Sequence, residues 1–382
     1  MTIGLLKEPG HETRVSLLAE AVATLTKKGI KILVENGAGD KAFCSNMDYE
    51  QAGAVIKEKK EVLQASDIIL SIHYPLQSVM SDIQSKILIG VYQPLYNAGL
   101  MQQWANQGIT TFSLDMLPRT TRAQAMDVLS SQANIAGYKA AVMAAQLYPR
   151  YFPMFMTAAG TIKPAKVLIL GAGVAGLQAI ATARRMGAVV EVFDTRPAVK
   201  EEVVSLGAKF IEVEGAADAS KAGGYAVEQS QEFMQRQKAR IAESIAKADI
   251  VVTTAQIPGK KAPVLVTEDM ISAMRKGSVI IDIAAATGGN TPVTKNNETI
   301  AYHGVTIVGN SNLPATMPSD ASRMYGKNVL NFLQLIINKE AELNLNWDDD
   351  LVKGSCVTHG GEITNERVKT LVGVKSDGFG EV

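Results

Sequence analysis

Cysteine, histidine and net charge are all scarce in this 382-residue chain, and each scarcity closes off a class of function. Cys44 and Cys356 are too few and too far apart for a disulfide framework or a thiolate zinc site. His11, His73, His303 and His359 have no metal-ligand spacing, so no metal is expected. Lys plus Arg and Asp plus Glu both number 38, which leaves no electrostatic footprint for nucleic acid or an anionic membrane surface. Long apolar runs are missing too. The longest, residues 167–183, holds three glycines and is closed by Arg184 and Arg185, so it reads as a buried strand and helix and not as a membrane span. The amino terminus passes from a short apolar run to charges without the pattern of an export signal. A role at a membrane is therefore expected only through a partner.

What is present is concentrated in residues 166–194, KVLILGAGVAGLQAIATARRMGAVVEVFD, which read in order as strand, glycine turn, helix, strand and terminal acid. Gly171 permits the tight turn, Gly173 lets backbone approach a pyrophosphate, and Gly176 lets the helix pack closely on the sheet. The N-terminus of that helix, at Val174 and Ala175, offers unpaired N–H groups to an anion. Asp194 ends the next strand, about 20 residues on, where a carboxylate holds two ribose hydroxyls. Thr195 and Arg196 complete this edge of the site. Arg196 has two readings here, neutralising a 2′-phosphate or lying over the adenine face.

At about 150 residues per domain the length suggests two domains. Apolar strands at 3–6, 30–35, 67–72, 87–91 and 109–114, with a helix at 16–28, imply a first parallel sheet. A second set at 167–170, 189–193, 209–213, 249–253, 278–283 and 305–308 fits a doubly wound sheet, and only this set carries the glycine fingerprint. Residues 121–147 read as one long helix, with Thr121 and Gln124 as a capping box and Pro149 as its stop. A further helix is expected at 319–338. The expected fold is an α/β chain of two doubly wound, Rossmann-like parallel-sheet domains separated by a cleft, the second inserted into the first. Residues 1–127 with 321–382 form the first, and 128–320 the NAD(H)-binding one. Residues 216–226, AADASKAGGYA, read as a glycine-rich functional loop before a charged helix at 227–248.

The segment LPRTTRAQAMDVLSSQANIAGYKA at 117–140, followed by MTAAGTIKPAKVLILGAGVAGLQAIATARRMGA, resembles the nucleotide-binding alpha subunit of proton-translocating nicotinamide nucleotide transhydrogenase. So do DTR at 194–196, AGGYA at 222–226, TTAQIPG at 253–259 and GSVIIDIA at 277–284. The resemblance is dense over 117–338 and looser outside it. It implies that Arg119, Gln124 and Asp127 form a loop over the nicotinamide, with Arg119 pairing with the acid, and that Ser130 and Gln132 lie nearby. It places Thr254, Ala255, Gln256 and Pro258 beside the adenosine or pyrophosphate, and Tyr225 on a closing loop. It further implies NAD(H) as cofactor and NADP(H) as co-substrate on a partner beta subunit. The activity would be Si-specific NAD(P)+ transhydrogenation coupled to proton translocation, by a homodimer held at the cytoplasmic face of the inner membrane by membrane-spanning subunits.

The same family includes alanine dehydrogenase, the chief alternative. Its amine chemistry needs acid and base groups, and by motif those positions fall here on Ser71, Val91 and Ala286, none of which transfers a proton. Arg14 does match a substrate-carboxylate arginine, and His73 shares a strand face with Ser71. A non-catalytic NAD(H)-binding module is the third reading.

Overall fold

The computed structural model describes residues 1–75, 81–213, 215 and 230–376. The chain divides into two compact units, Met1–Gln132 with Met317–Val382, and Ala133–Thr316. In the first unit β1 (Thr2–Leu5), β2 (Lys31–Glu35), β3 (Val55–Lys57), β4 (Ile68–Leu70), β5 (Ile87–Gly90) and β6 (Thr110–Ser113) interleave with α1 (Ala19–Thr26), α2 (Asn46–Gln51), α3 (Lys59–Ala65) and α4 (Ala98–Asn106). The strands pair in parallel in the order β3-β2-β1-β4-β5-β6. Runs such as Ile68–Leu70 are apolar without alternation because both faces of a parallel sheet are covered.

The expected single helix at 121–147 is broken. Thr121–Met126 forms a 3-10 turn, Asp127 leaves helical geometry at ψ 89°, and α5 (Val128–Leu147) follows. Asp127 caps this helix, accepting from the Ser130 N–H at 2.9 Å, so Asp127 and not Thr121 marks its start. The boundary between the units falls within α5, after Gln132.

The second unit opens with a hairpin, β7 (Phe155–Thr157) and β8 (Gly160–Ile162), whose six residues are all exposed. Then come β9 (Lys166–Leu170), α6 (Val174–Arg185), β10 (Val189–Phe193), α7 (Lys200–Ser205), β11 (Lys209–Phe210), α8 (Gln231–Ile245), β12 (Ile250–Thr253), α9 (Glu268–Ser272), β13 (Val279–Asp282), β14 (Thr299–Tyr302) and β15 (Val305–Val308). The order β11-β10-β9-β12-β13-β15 repeats the winding of the first sheet, with β14 antiparallel at the edge. In both sheets the winding reverses beside the first strand, between β1 and β4 and between β9 and β12. Ligands of open α/β sheets bind at the carboxyl ends of strands at such a point.

The chain returns to the first unit through α10 (Pro318–Ile336), which has proline at its first turn and ends two residues before the expected Asn338. After α11 (Asp350–Ser355), β16 (Cys356–His359) joins β6 antiparallel, β17 (Glu362–Ile363) pairs with β16, and α12 (Glu366–Ser376) closes the described chain. Phe332, Leu333 and Ile336 of α10 share a core with Ile3, Leu5, Ile68 and Phe112. Among the described residues no helix is long and apolar enough to cross a membrane.

Candidate functional site

The glycine turn of the second unit is built as a cradle. Gly171 has φ +106°, and a Cβ on it would lie 2.4 Å from the Thr254 hydroxyl, so only glycine fits. A Cβ at 176 would lie 1.9 Å from the Gly171 carbonyl oxygen, which seats α6 directly on the turn. At Gly173, by contrast, nothing lies within 4 Å of the Cβ position, leaving open space at the N-terminus of α6 where Val174 and Ala175 begin the helix. That opening fits a pyrophosphate approaching backbone N–H groups.

Asp194 stands at the carboxyl end of β10 with its side chain almost wholly buried. Its Oδ2 accepts from the Ala172 N–H at 2.7 Å and from Arg196 Nη2 at 2.7 Å, and its Oδ1 from Arg196 N and Nε, both at 2.8 Å. Four donors fill the four lone-pair sites of the carboxylate. Arg196 thus lies on the acid itself, and a diol reaching this carboxylate would have to take over those hydrogen bonds. Thr195 sits half-buried between the two.

Across the turn, Thr254 donates to the Gly171 carbonyl at 3.1 Å. Ala255 is gripped by an amide to which no sequence motif points. Asn290, fully buried, accepts from the Ala255 N–H at 3.1 Å and donates to the Ala255 carbonyl at 2.9 Å and the Pro263 carbonyl at 2.8 Å. Gln256 reaches the Ile283 carbonyl at 3.3 Å, while Pro258 stays in the exposed part of the loop. Tyr225 and the loop at 216–226 lie outside the described residues.

The segment around Gln124 and Asp127 belongs to the first unit. Arg119 and Gln124 are exposed, and Asp127 holds Ser130 through both its N–H and its hydroxyl, the latter at 2.6 Å. Arg122 ties this loop to the C-terminal segment by ion pairs to Asp349 at 2.5 Å and Asp350 at 3.1 Å. Gln132 turns to Arg14, whose Nη1 donates to it at 2.8 Å, and to the Ala321 carbonyl at 3.1 Å.

Arg14 is also forked onto Glu12, Nε to Oε1 at 2.9 Å and Nη2 to Oε2 at 2.7 Å, and His73 Nε2 meets the same Oε2 at 2.8 Å. Burial alone would raise the Glu12 carboxyl, but the hydrogen bonds from Arg14 and His73 outweigh it and hold it well below the usual range. Ser71, fully buried, has its hydroxyl 3.1 Å from that of Tyr92.

Glu8 is the opposite case. Burial pushes it up to about 7, against backbone hydrogen bonds from Ile72 and His73 that lower it. Because the folded state holds this proton more tightly than the unfolded chain, stability is greatest below the unfolded value of 4.5 and is lost as pH rises through about 7. A shift of that size corresponds to about 3 kcal/mol. Urea unfolding between pH 4.5 and 8 is expected to show this decline in the native chain and a flatter profile in Glu8→Gln; identical profiles would contradict it.

Fold and cradle together define a two-unit dinucleotide-binding protein of the dehydrogenase type. The descriptions "Alanine dehydrogenase/PNT, N-terminal domain" and "Alanine dehydrogenase/PNT, C-terminal domain" match residues 4–136 and 140–366. The chain is 42% identical over 377 residues to an NAD(P) transhydrogenase subunit alpha chain of Rhodospirillum rubrum, covering 96% of this chain and 98% of that one. A solved transhydrogenase structure from Sinorhizobium meliloti superposes with TM-score 0.87 at 43% identity, covering 95% of this chain and all of that one. An alanine dehydrogenase of Staphylococcus epidermidis is 27% identical over 378 residues, 96% of each chain. The chain belongs to the alanine dehydrogenase/PNT family, and within it to the transhydrogenase alpha subunits.

Proposed function

We propose that the chain is the NAD(H)-binding subunit of a proton-translocating transhydrogenase, presenting NADH for direct, Si-specific hydride transfer to NADP+ on a partner beta subunit. The observation that carries this reading is the full-length likeness to a chain named as a transhydrogenase alpha subunit, at 42% identity against 27% for alanine dehydrogenase. Bound dihydronicotinamide supplies the hydride, so no side chain has to give or take a proton at the reacting carbon. The protein's part is placement. The glycine turn and α6 hold the pyrophosphate, Asp194 the adenosine ribose, the 254–258 loop the adenosine side, and Gln124, Asp127, Ser130 and Gln132 the nicotinamide end. Proton translocation and the NADP(H) site belong to membrane-spanning partners, which seat this subunit at the cytoplasmic face. A homodimer is supported by the exposed apolar residues Phe155, Met156 and Ile162 of the β7–β8 hairpin, a surface that a second copy would cover.

Two measurements test the cofactor side. Asp194 repels a 2′-phosphate, and the Arg196 that could offset it is forked onto the acid, so NADH is expected to bind at least ~10-fold more tightly than NADPH in equilibrium titrations. Equal affinities would sink the assignment. L-alanine with NAD+ is expected to yield no NADH with the purified chain, because Ser71, Val91 and Ala286 supply no acid or base. Alanine-dependent reduction at a useful rate would restore the amino-acid dehydrogenase reading.

A further inference from the structure

One buried face of α10 reads the segment that carries Gln124, Asp127, Ser130 and Gln132. Asn328, 7% exposed, donates from Nδ2 to the Ala125 carbonyl at 2.9 Å and accepts at Oδ1 from the Ser131 hydroxyl at 2.7 Å. Its amide therefore brackets Asp127, engaging one residue two positions before it and one four positions after. Asn331, one turn further on and half-buried, donates to the same Ala125 carbonyl at 2.9 Å. Two turns before Asn328, about 10 Å along the axis, the Ala321 carbonyl takes the Gln132 amide at 3.1 Å.

This bracket accounts for the break in the helix. In a continuous helix from 121 the Ala125 carbonyl would receive the N–H of residue 129. Here two side-chain amides claim it, the backbone turns at Asp127, and α5 starts afresh at Val128. A carbonyl with two lone pairs is satisfied by two such donors, and neither can be exchanged for a carboxylate without setting oxygen against oxygen.

We infer that Asn328, assisted by Asn331, is a positioning residue for hydride transfer: it fixes the backbone between Gln124 and Gln132 so that Gln124 and Asp127 meet the nicotinamide end in register. The inference rests on the function proposed above. A purely structural role for these two amides would leave the transfer rate of the folded protein unaffected by their loss.

The test is Asn328→Asp, which keeps shape and the acceptor for Ser131 but puts an oxygen against the Ala125 carbonyl, studied in the full chain with its NADP(H)-binding partner. Amide hydrogen exchange at residues 121–127 should rise at least ~10-fold. Single-turnover transfer should slow by ~100-fold, the scale for a displacement of about 1 Å, while the NADH dissociation constant moves less than about threefold. Unchanged exchange and rate in a folded variant would overturn the inference, as would a loss of stability with normal transfer. Should Asn328→Asp fail to fold, Asn331→Ala removes only the second donor and should still raise exchange and slow transfer about threefold; its silence in both would equally overturn it. Absence of transfer in the native chain would instead remove the proposed function, and exchange at 121–127 would then decide the positioning claim alone.

Discussion

Asp127→Asn is expected to slow hydride transfer by ~100-fold while leaving the melting temperature nearly unchanged. Asp127 caps α5 through the Ser130 N–H and hydroxyl. Asparagine and aspartate are near-equal caps, so the substitution keeps an acceptor for the Ser130 N–H and costs the fold little. What it loses is a carboxylate charge and one acceptor oxygen, the groups proposed to hold the nicotinamide carboxamide and its neighbours in line. Gln124→Asn acts through reach: its side chain is exposed, so shortening it removes no core contact. A rate that depends on alignment suffers heavily from displacement of about 1 Å. NADH affinity should fall less than the rate, because the cradle at Gly171 to Gly176 and the Asp194 carboxylate are untouched. Single-turnover transfer between bound nucleotides, with parallel melts and NADH titrations, checks this. Normal rates in both variants would reduce the two residues to a helix cap and a surface amide.

The second large effect is expected from Gly137→Ala. Alanine in a helix interior is ordinarily favoured over glycine by about 1 kcal/mol. At this position, however, the new methyl would lie 2.0 Å from the Ala175 carbonyl oxygen and 2.8 Å from its carbonyl carbon. These are backbone atoms of the first turn of α6, and they cannot rotate aside as a side chain would. The helices must separate, and overpacking of this kind costs about 1–3 kcal/mol. Since the displaced turn is the one whose N–H groups are proposed to face the pyrophosphate, NADH affinity should drop roughly tenfold as well. Thermal melts and fluorescence titration decide it; a variant more stable than the native chain, with native affinity, would contradict the proposed packing.

The parts of this protein that sequence discloses are those whose causes are local. The fingerprint at 166–194 is legible because strand, turn, helix and acid are contiguous, and Gly171 and Gly176 answer to steric demands within the same unit. The buried parallel strands are legible as unbroken apolar runs. The short elements are not: β3, β14, β16, β17 and the β7–β8 hairpin have two to four residues each, lie at or next to sheet edges or outside the large sheets, and carry no periodicity to detect. The start of α5 is obscured for a related reason. Thr121 and Gln124 satisfy a capping pattern, but the side-chain claims on the Ala125 carbonyl, which favour the competing cap at Asp127, come from 203 and 206 positions away. The positions of Arg14 and Gln132 in the chain likewise give no hint that the two side chains meet across 118 residues, nor does anything near Ala255 point to Asn290. Such pairings depend on topology, which local pattern does not encode.

Direct transfer of hydride from NADH on this subunit to NADP+ on its partner is tested most directly with NADH deuterated at the transferring position of C4. The native chain is loaded with this nucleotide and mixed with partner subunit holding NADP+, and the deuterium content of the NADPH formed is measured by mass spectrometry. Direct transfer predicts that the label appears in NADPH without dilution by solvent protons. NADPH lacking the label, or no NADPH at all, would contradict it.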